Sequence, residues 1–231
     1  MTAGLKAFYS YRLMLWHFLL IHPDGEVEHL RFYFSKLILG GWTGRNREDV
    51  LLHIEELKKI GVPEPERVPV FFPVGTNLLY SGNSIQVFSD KTSGEVEYVL
   101  LIEKGEPRYV TVGSDHTDRE IERVSVHLSK LLYPKIVAPV VWSYDDVRNH
   151  WDELILTMEI DNILAQESRI SAILHPEKLI ELCGEKERAM IFSGSIKWRN
   201  GFLRFGKRYR ISLRDPVLRR SISFSYEAIR I

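Results

Sequence analysis

Hydrophobic and polar positions change period several times along the chain, and each change marks a predicted element. The apolar run Leu13 to Ile21, the turn signal Pro23-Asp24-Gly25 and the partly alternating stretch Glu26 to Phe34 together predict a β-hairpin. That run is nine residues long and contains His17, whereas a membrane-spanning helix needs about twenty. No small-residue cleavage site follows it, so it reads as a strand and not as a signal segment. Ile38 to Trp42 continues as strand. Asn46 then offers an N-cap, Glu48 and Asp49 suit the first turn, and Val50, Leu51, Ile54, Leu57 and Ile60 recur at helical spacing up to Gly61. Prolines 63, 65, 69 and 73 end this helix and impose an extended connector, in which Val68, Val70, Phe71 and Phe72 are expected to pack. From Leu78 to Tyr109 short strands are separated by Gly82-Asn83, Asp90 to Gly94 and Lys104-Gly105-Glu106. Thr117 and Glu120 form a T-x-x-E capping box, after which Ile121, Val124, Leu128 and Leu131 share one helical face until Pro134. The remainder reads as strands and loops, with a short helix from Pro176 to Cys183 closed by Gly184. No internal repeat or low-complexity segment is present.

Composition narrows the class without naming a chemistry. At 231 residues with 45% apolar side chains the chain suits one large β-rich domain, or a small lobe on a larger one. Its 31 basic and 31 acidic residues cancel, so no global field favours nucleic acid or an anionic membrane. Cys183 is the sole cysteine; an internal disulfide and a thiolate zinc cluster are excluded, and a reduced cytoplasm is expected. The nine Lys and Arg residues between Lys197 and Arg220 interleave with Phe202, Phe205 and Tyr209. Because basic and apolar positions alternate there, solvated faces of sheet strands are expected and a nucleic-acid surface is not.

The chemistry centres on carboxylates. Side chains two apart on a strand point to one face, so Glu95 and Glu97 would present oxygens side by side. An E-x-E pair usually marks a solvated strand face. Here Val96 and Tyr98 to Ile102 are apolar at nearly every position, which predicts a strand buried on both faces and glutamates in need of partners. Asp115, in Ser114-Asp115-His116-Thr117-Asp118-Arg119, would supply a third carboxylate just before a helix. Three such groups repel one another in an interior unless a cation or protons neutralise them, and Mg2+ or Mn2+ accepts oxygen donors while keeping sites for a chelating substrate. His53 and Glu56 form H-x-x-E on the first predicted helix, where i and i+3 side chains adjoin; the carboxylate would orient the imidazole as a general base, against the alternative of a charged, solvated helix face.

In order, these features resemble the fumarylacetoacetate hydrolase superfamily, from about Trp42 to Ser195. The similarity is greatest to a prokaryotic branch carrying T-S-G-E-V-E and G-S-D-H-T-D-R. The family's asparagine-led helix with H-x-x-E and proline-rich stretch correspond to Asn46 to Glu56 and Pro63 to Pro73. Its E-x-E metal strand corresponds to Glu95-Val96-Glu97, and its N-D-x-[ST]-x-R-D loop to the segment from Ser114 to Glu120. The resemblance therefore implies metal ligands Glu95, Glu97 and Asp115, an active-site lysine at Lys130, and substrate-side residues Arg119, Gln166 and Ser195. The last two follow from Asn162-Ile163-Leu164-Ala165-Gln166 and from Ser193-Gly194-Ser195-Ile196, which resembles a T-G-T-P loop. Asp118 and Glu120 depart from the family pattern, as does Lys197-Trp198-Arg199-Asn200-Gly201 after that loop; the former adds charge near the site and the latter rebuilds its rim.

The expected architecture is α+β and mainly β: a mixed-sheet β-roll of the fumarylacetoacetate hydrolase type with a few peripheral helices. Residues 1–41 would form a small strand-rich appendage and 42–231 the catalytic domain. The implied function is a divalent-metal-dependent hydrolase, using Mg2+ or Mn2+, that cleaves a C–C bond in a 2,4-dioxo acid or related 2-oxo acid. One alternative is a metal-dependent lyase, either a 2-oxo acid decarboxylase or a 2-oxo-3-deoxy sugar acid dehydratase. The other is a non-catalytic binding module, which would bind oligonucleotides tightly, salt-sensitively and without metal. A homodimer is implied by resemblance alone.

Overall fold

The turn at Pro23-Asp24-Gly25 folds β1 (Met14–Ile21) onto β2 (Val27–Phe34) in antiparallel register, with Gly25 at φ 89°, where a Cβ would be strained. The computed structural model describes residues 13–59, 61 and 64–231. After β3 (Lys36–Gly41) comes α1 (Arg47–Lys59), capped as expected: Asn46 Oδ1 accepts the Glu48 amide at 2.9 Å and the Asp49 amide at 3.4 Å. The proline-rich connector becomes β4 (Val70–Val74), antiparallel to β3. Phe71 and Phe72 pack against the core from it, whereas Val68, expected to pack, is 41% exposed because it precedes the paired strand.

Short strands follow, namely β5 (Leu79–Tyr80), β6 (Ser84–Val87) and β7 (Thr92–Ser93). β8 (Val96–Glu103) and β9 (Glu106–Asp115) form a hairpin through Lys104 and Gly105, both at positive φ. The predicted Thr117 helix is corrected. Thr117 belongs to β10 (Thr117–Asp118), and Asp118 is the cap, its Oδ1 accepting the amides of Glu120 and Ile121 at 3.0 and 3.1 Å. Two short helices result, α2 (Arg119–Glu122) and α3 (Val126–Leu132), because Ser125 starts a second cap by accepting the Leu128 amide at 3.3 Å. Their orientation also differs from expectation. Val124 and Leu128 are 72% and 54% exposed, while Ser129 and Lys130 are buried.

The chain continues through β11 (Lys135–Val137), β12 (Val140–Ser143), α4 (Tyr144–Val147), β13 (Ile155–Ile160) and β14 (Ile163–Arg169). It closes with α5 (Pro176–Cys183), β15 (Ala189–Phe192), β16 (Arg208–Asp215) and β17 (Arg220–Arg230). α5 ends at Gly184, which is left-handed at φ 71° as predicted.

The fold is α+β and mainly strand. A ten-stranded mixed sheet runs β2-β1-β12-β9-β8-β15-β3-β4, with β11 and β5 attached through β9. The pairs β1/β12, β15/β3 and β11/β5 are parallel. Thus the hairpin β1–β2 lies at the edge of this sheet, and β3 lies inside it. A five-stranded sheet, β14-β13-β16-β17-β6, faces it. Along β16, Tyr209, Ile211 and Leu213 are buried while Arg208, Arg210 and Arg214 face solvent, the alternation read from the basic stretch.

β8 is central to both layers. Val96, Tyr98, Leu100 and Ile102 enter the core between the sheets, and Val99 and Leu101 enter a second cluster with Phe18, Phe34, Leu39 and Phe192. Each such aliphatic side chain contributes about 1.5–3 kcal/mol on burial. This strand is therefore rigid enough to hold charged groups where loops would let them drift apart.

Candidate metal centre

Alternation along β8 puts Glu97 on the side of Val99 and Leu101, and Glu95, one residue before the strand, on that same side. Opposite Glu97 in the β8–β9 register is Gly113. A Cβ there would lie 2.6 Å from both Phe192 Cε1 and Val99 Cγ2, and 2.7 Å from the Ile136 carbonyl oxygen, so glycine lets β9 pass this crowded point. Two residues on, Asp115 ends β9, its amide donating to the Glu95 carbonyl at 3.1 Å. The three carboxylates converge: ligand oxygens of Glu95, Glu97 and Asp115 lie within 4.8 Å of one another, with Glu97 and Asp115 fully buried.

Cations of the chain surround this trio. Across the β9–β11 register Lys135 stands directly opposite Asp115; its Nζ donates to Asp115 Oδ1 at 2.6 Å and to the His116 carbonyl at 3.0 Å. Lys130, from α3, donates to Asp115 Oδ2 and lies 3.9 Å from Glu95 Oε2. Arg119 Nη2 lies 3.1 Å from Glu95 Oε1 without the alignment of a hydrogen bond, while Nη1 donates to Glu122 at 2.9 Å and Nε to Ser93 Oγ at 2.7 Å. Burial alone would raise the Asp115 carboxyl, but the ammonium groups of Lys130 and Lys135 hold it below the usual carboxylate range. For Lys130, attraction by the carboxylates outweighs burial and raises its pKa; for fully enclosed Lys135, burial outweighs Asp115 and lowers it.

The glutamates behave differently. Burial, reinforced by the Asp115 charge, pushes Glu97 well above its ordinary value, and burial raises Glu95 against the pull of Arg119. Glu97 Oε2 accepts the Gly194 amide at 2.6 Å, but its buried Oε1 has no hydrogen-bond partner. Gly194, at φ 90°, sits where a Cβ would meet Thr43 Oγ1 at 2.2 Å, so the loop reaches Glu97 only as glycine. An orphaned carboxylate oxygen beside two more carboxylates is a donor set for a hard divalent cation such as Mg2+ or Mn2+. The residues fit that group.

Gln166 is fully buried and its amide is used in full: Oε1 accepts the Val96 amide at 3.0 Å, and Nε2 donates to Ser195 Oγ at 2.9 Å and to the Ile196 carbonyl at 2.6 Å. It thereby ties the 193–196 loop to the start of β8. The backbone of α1 carries His53 and Glu56, but their side chains lie outside the described residues. Sequence reasoning missed Lys135, Gly194 and Ser93. A lysine opening the apolar run Ile136 to Val141 was the available signal for Lys135, since a strand that is otherwise apolar buries its charge only against a partner.

His116, adjacent to Asp115, is no free ligand. Its ring is enclosed edge-on by Tyr133, Tyr209 and Tyr226, with Nδ1 3.1 Å from Tyr226 Oη and Nε2 3.0 Å from Thr92 Oγ1. Burial, with Lys135 and Arg119 near by, pushes its pKa down to about 3. An unfolded imidazole takes up a proton below about 6.5, which the native one refuses. Stability therefore falls as pH drops from about 6.5 towards 3, at up to about 1.4 kcal/mol per pH unit from this residue. Replacing His116 with Phe should flatten the pH dependence of the urea-unfolding free energy between pH 6 and 4.5 by about that slope. An unaltered slope would mean that the imidazole titrates freely in the native state.

Similarity to known proteins bears on the fold and the family. No curated protein matches the chain. Among solved structures, fumarylpyruvate hydrolase from Pseudomonas aeruginosa, in complex with Mn2+ and pyruvate, is similar at TM-score 0.64 and 14% identity over 93% of this chain and 97% of its own. A yeast fumarylacetoacetate hydrolase family protein is similar at TM-score 0.59 and 14% identity over 85% and 94%. The apo form of 2-keto-3-deoxy-D-arabinonate dehydratase is similar at TM-score 0.60 and 13% identity over 90% and 86%. These likenesses establish the fold as that of the fumarylacetoacetate hydrolase superfamily. The family model described as "Protein of unknown function (DUF2848)" spans residues 40–226, most of the chain, and the chain belongs to that family.

Proposed function

We propose that the chain is a divalent-metal-dependent hydrolase that cleaves a C–C bond in an acylpyruvate-like 2,4-dioxo acid or a related 2-oxo carboxylic acid. The observation that carries this reading is the convergence of Glu95, Glu97 and Asp115 within 4.8 Å, with Glu97 Oε1 buried and unpartnered. Its support from similarity is a shared fold with a hydrolase whose structure contains Mn2+ and pyruvate. Mg2+ or Mn2+ held by the three carboxylates would supply Lewis acidity towards the carbonyl of a chelated 2-oxo acid.

The rest is work for side chains. As the H-x-x-E resemblance implies, His53 with Glu56 would take the proton of the attacking water, a contribution of about 10²–10⁴-fold for a general base. The Lys130 ammonium neutralises the oxyanion or enolate that develops as the bond breaks. Arg119 positions Glu95, and Gln166 positions Ser195, whose hydroxyl would meet the substrate. A homodimer and a cytoplasmic location belong to the same proposal. The exposed apolar side of α2 and α3, with Val124, Leu128 and Leu131, supports a paired surface.

A metal-dependent lyase is the second reading, favoured by one fact: the fold is shared with 2-keto-3-deoxy-D-arabinonate dehydratase. Steady-state assays on acylpyruvates, oxaloacetate and a 2-oxo-3-deoxy sugar acid, each with Mn2+ and with chelator, separate the two. Chelator-sensitive pyruvate release from an acylpyruvate is the expected result. Turnover of oxaloacetate or of the sugar acid without acylpyruvate cleavage would move the assignment to a lyase, and no chelator-sensitive turnover of any would sink both.

A further inference from the structure

Both oxygens of Asp115 are already engaged by lysines, Oδ2 by Lys130 and Oδ1 by Lys135. The Lys130 ammonium also lies 3.9 Å from Glu95 Oε2 and 5.9 Å from the centroid of the Phe72 ring. A cation of this chain's own thus sits against two of the three carboxylates that would hold a divalent ion. A metal and an ammonium repel each other and draw on the same two carboxylates, so the Lys130 contacts and a divalent ion weaken one another.

The two lysines are not equivalent. Lys135 is fixed by strand register, fully buried, and tied to the His116 carbonyl as well as to Asp115. Lys130 extends from the last turn of a seven-residue helix whose other side is exposed, and among the described residues its polar contacts are to the carboxylates of Asp115 and Glu95. Its long unbranched stem permits a different rotamer without moving a strand. Of the pair, Lys130 is the one that can yield.

We infer that Lys130 is a built-in competitor of the metal, occupying the Glu95–Asp115 side of the centre in the metal-free protein and swinging off those carboxylates when the divalent ion binds. This rests on the metal-binding reading above and adds to it a mechanism that sets affinity. The metal-free trio is kept neutralised, and metal binds less tightly than the carboxylates alone would hold it, so loading follows the supply of free ion.

Calorimetric Mn2+ titration of wild type and Lys130→Met, with thermal unfolding of both without metal, tests the inference. The variant should bind Mn2+ at least tenfold more tightly, melt at a lower temperature without metal, and recover on adding Mn2+. A second measurement needs no variant: amine acylation of the wild type, mapped by mass spectrometry, should find Lys130 protected without metal and labelled at saturating Mn2+, with Lys135 protected in both. If Lys130→Met does not fold, the labelling decides. Equal Mn2+ affinity in the two proteins, or Lys130 protected in both states, overturns displacement while leaving the metal site intact. No Mn2+ binding in either protein overturns displacement and metal reading together.

Discussion

Asp115→Ala is expected to cost about 3–5 kcal/mol of folding stability, the range for removing one partner of a buried ion pair. The effect is large because one carboxylate answers two ammonium groups: Lys130 and Lys135 reach its two oxygens, and Lys135 is fully buried. Without Asp115, Lys135 keeps only the His116 carbonyl, and two like charges face each other in an interior that cannot solvate them. Urea unfolding at neutral pH measures the loss. A companion Lys135→Met change in the Asp115→Ala background should restore part of it, because it removes the stranded charge; the double-mutant cycle then gives a coupling energy well above that of an exposed pair. A loss below about 1 kcal/mol would show that the lysines find other partners and that Asp115 is not their anchor.

Glu97→Gln should do the opposite to stability and far more to metal binding. Burial and the Asp115 charge already push the Glu97 carboxyl well above its ordinary value, so its ionised form is a burden on the metal-free fold. An amide of the same shape keeps an oxygen to accept the Gly194 amide and carries no charge. The metal-free variant should therefore melt at or slightly above the wild-type temperature. Mn2+ at a hundred times its dissociation constant stabilises a one-site protein by about 2.7 kcal/mol; the wild type should show that gain and lose it with chelator, and the variant should show almost none. Equal Mn2+ shifts in both proteins would remove Glu97 from the ligand set.

How much of this was legible in the sequence differs between elements for physical reasons. The β1–β2 hairpin, α1 with its Asn46 cap and α5 with Gly184 followed from neighbours a few residues apart, because turns and caps are local hydrogen-bonding problems. The segment from Thr117 to Leu131 did not. Asp118 and Ser125 compete with Thr117 as caps, and the choice between them depends on the pairing of β10 with β7. Its apolar face points outward for a related reason: Lys130 is held on the inner side by carboxylates from β9 and the start of β8, and periodicity cannot register that attraction.

The candidate centre divides in the same way. Period-two geometry and the apolar run after Glu97 were enough to put Glu95 and Glu97 on one face of a buried strand, and the same run made partners necessary. Only the tertiary structure decided who those partners are. Lys135 opposite Asp115, the Gly194 amide on Glu97 and the Gln166 tie to Ser195 join residues between 20 and 97 positions apart, and such contacts arise from tertiary pairing that no local pattern encodes. The sequence by itself determined that this chain buries acidic groups on a rigid strand; the folded sheet decided which cations meet them, because charge in a low-dielectric interior is settled by distance in space and not by distance along the chain.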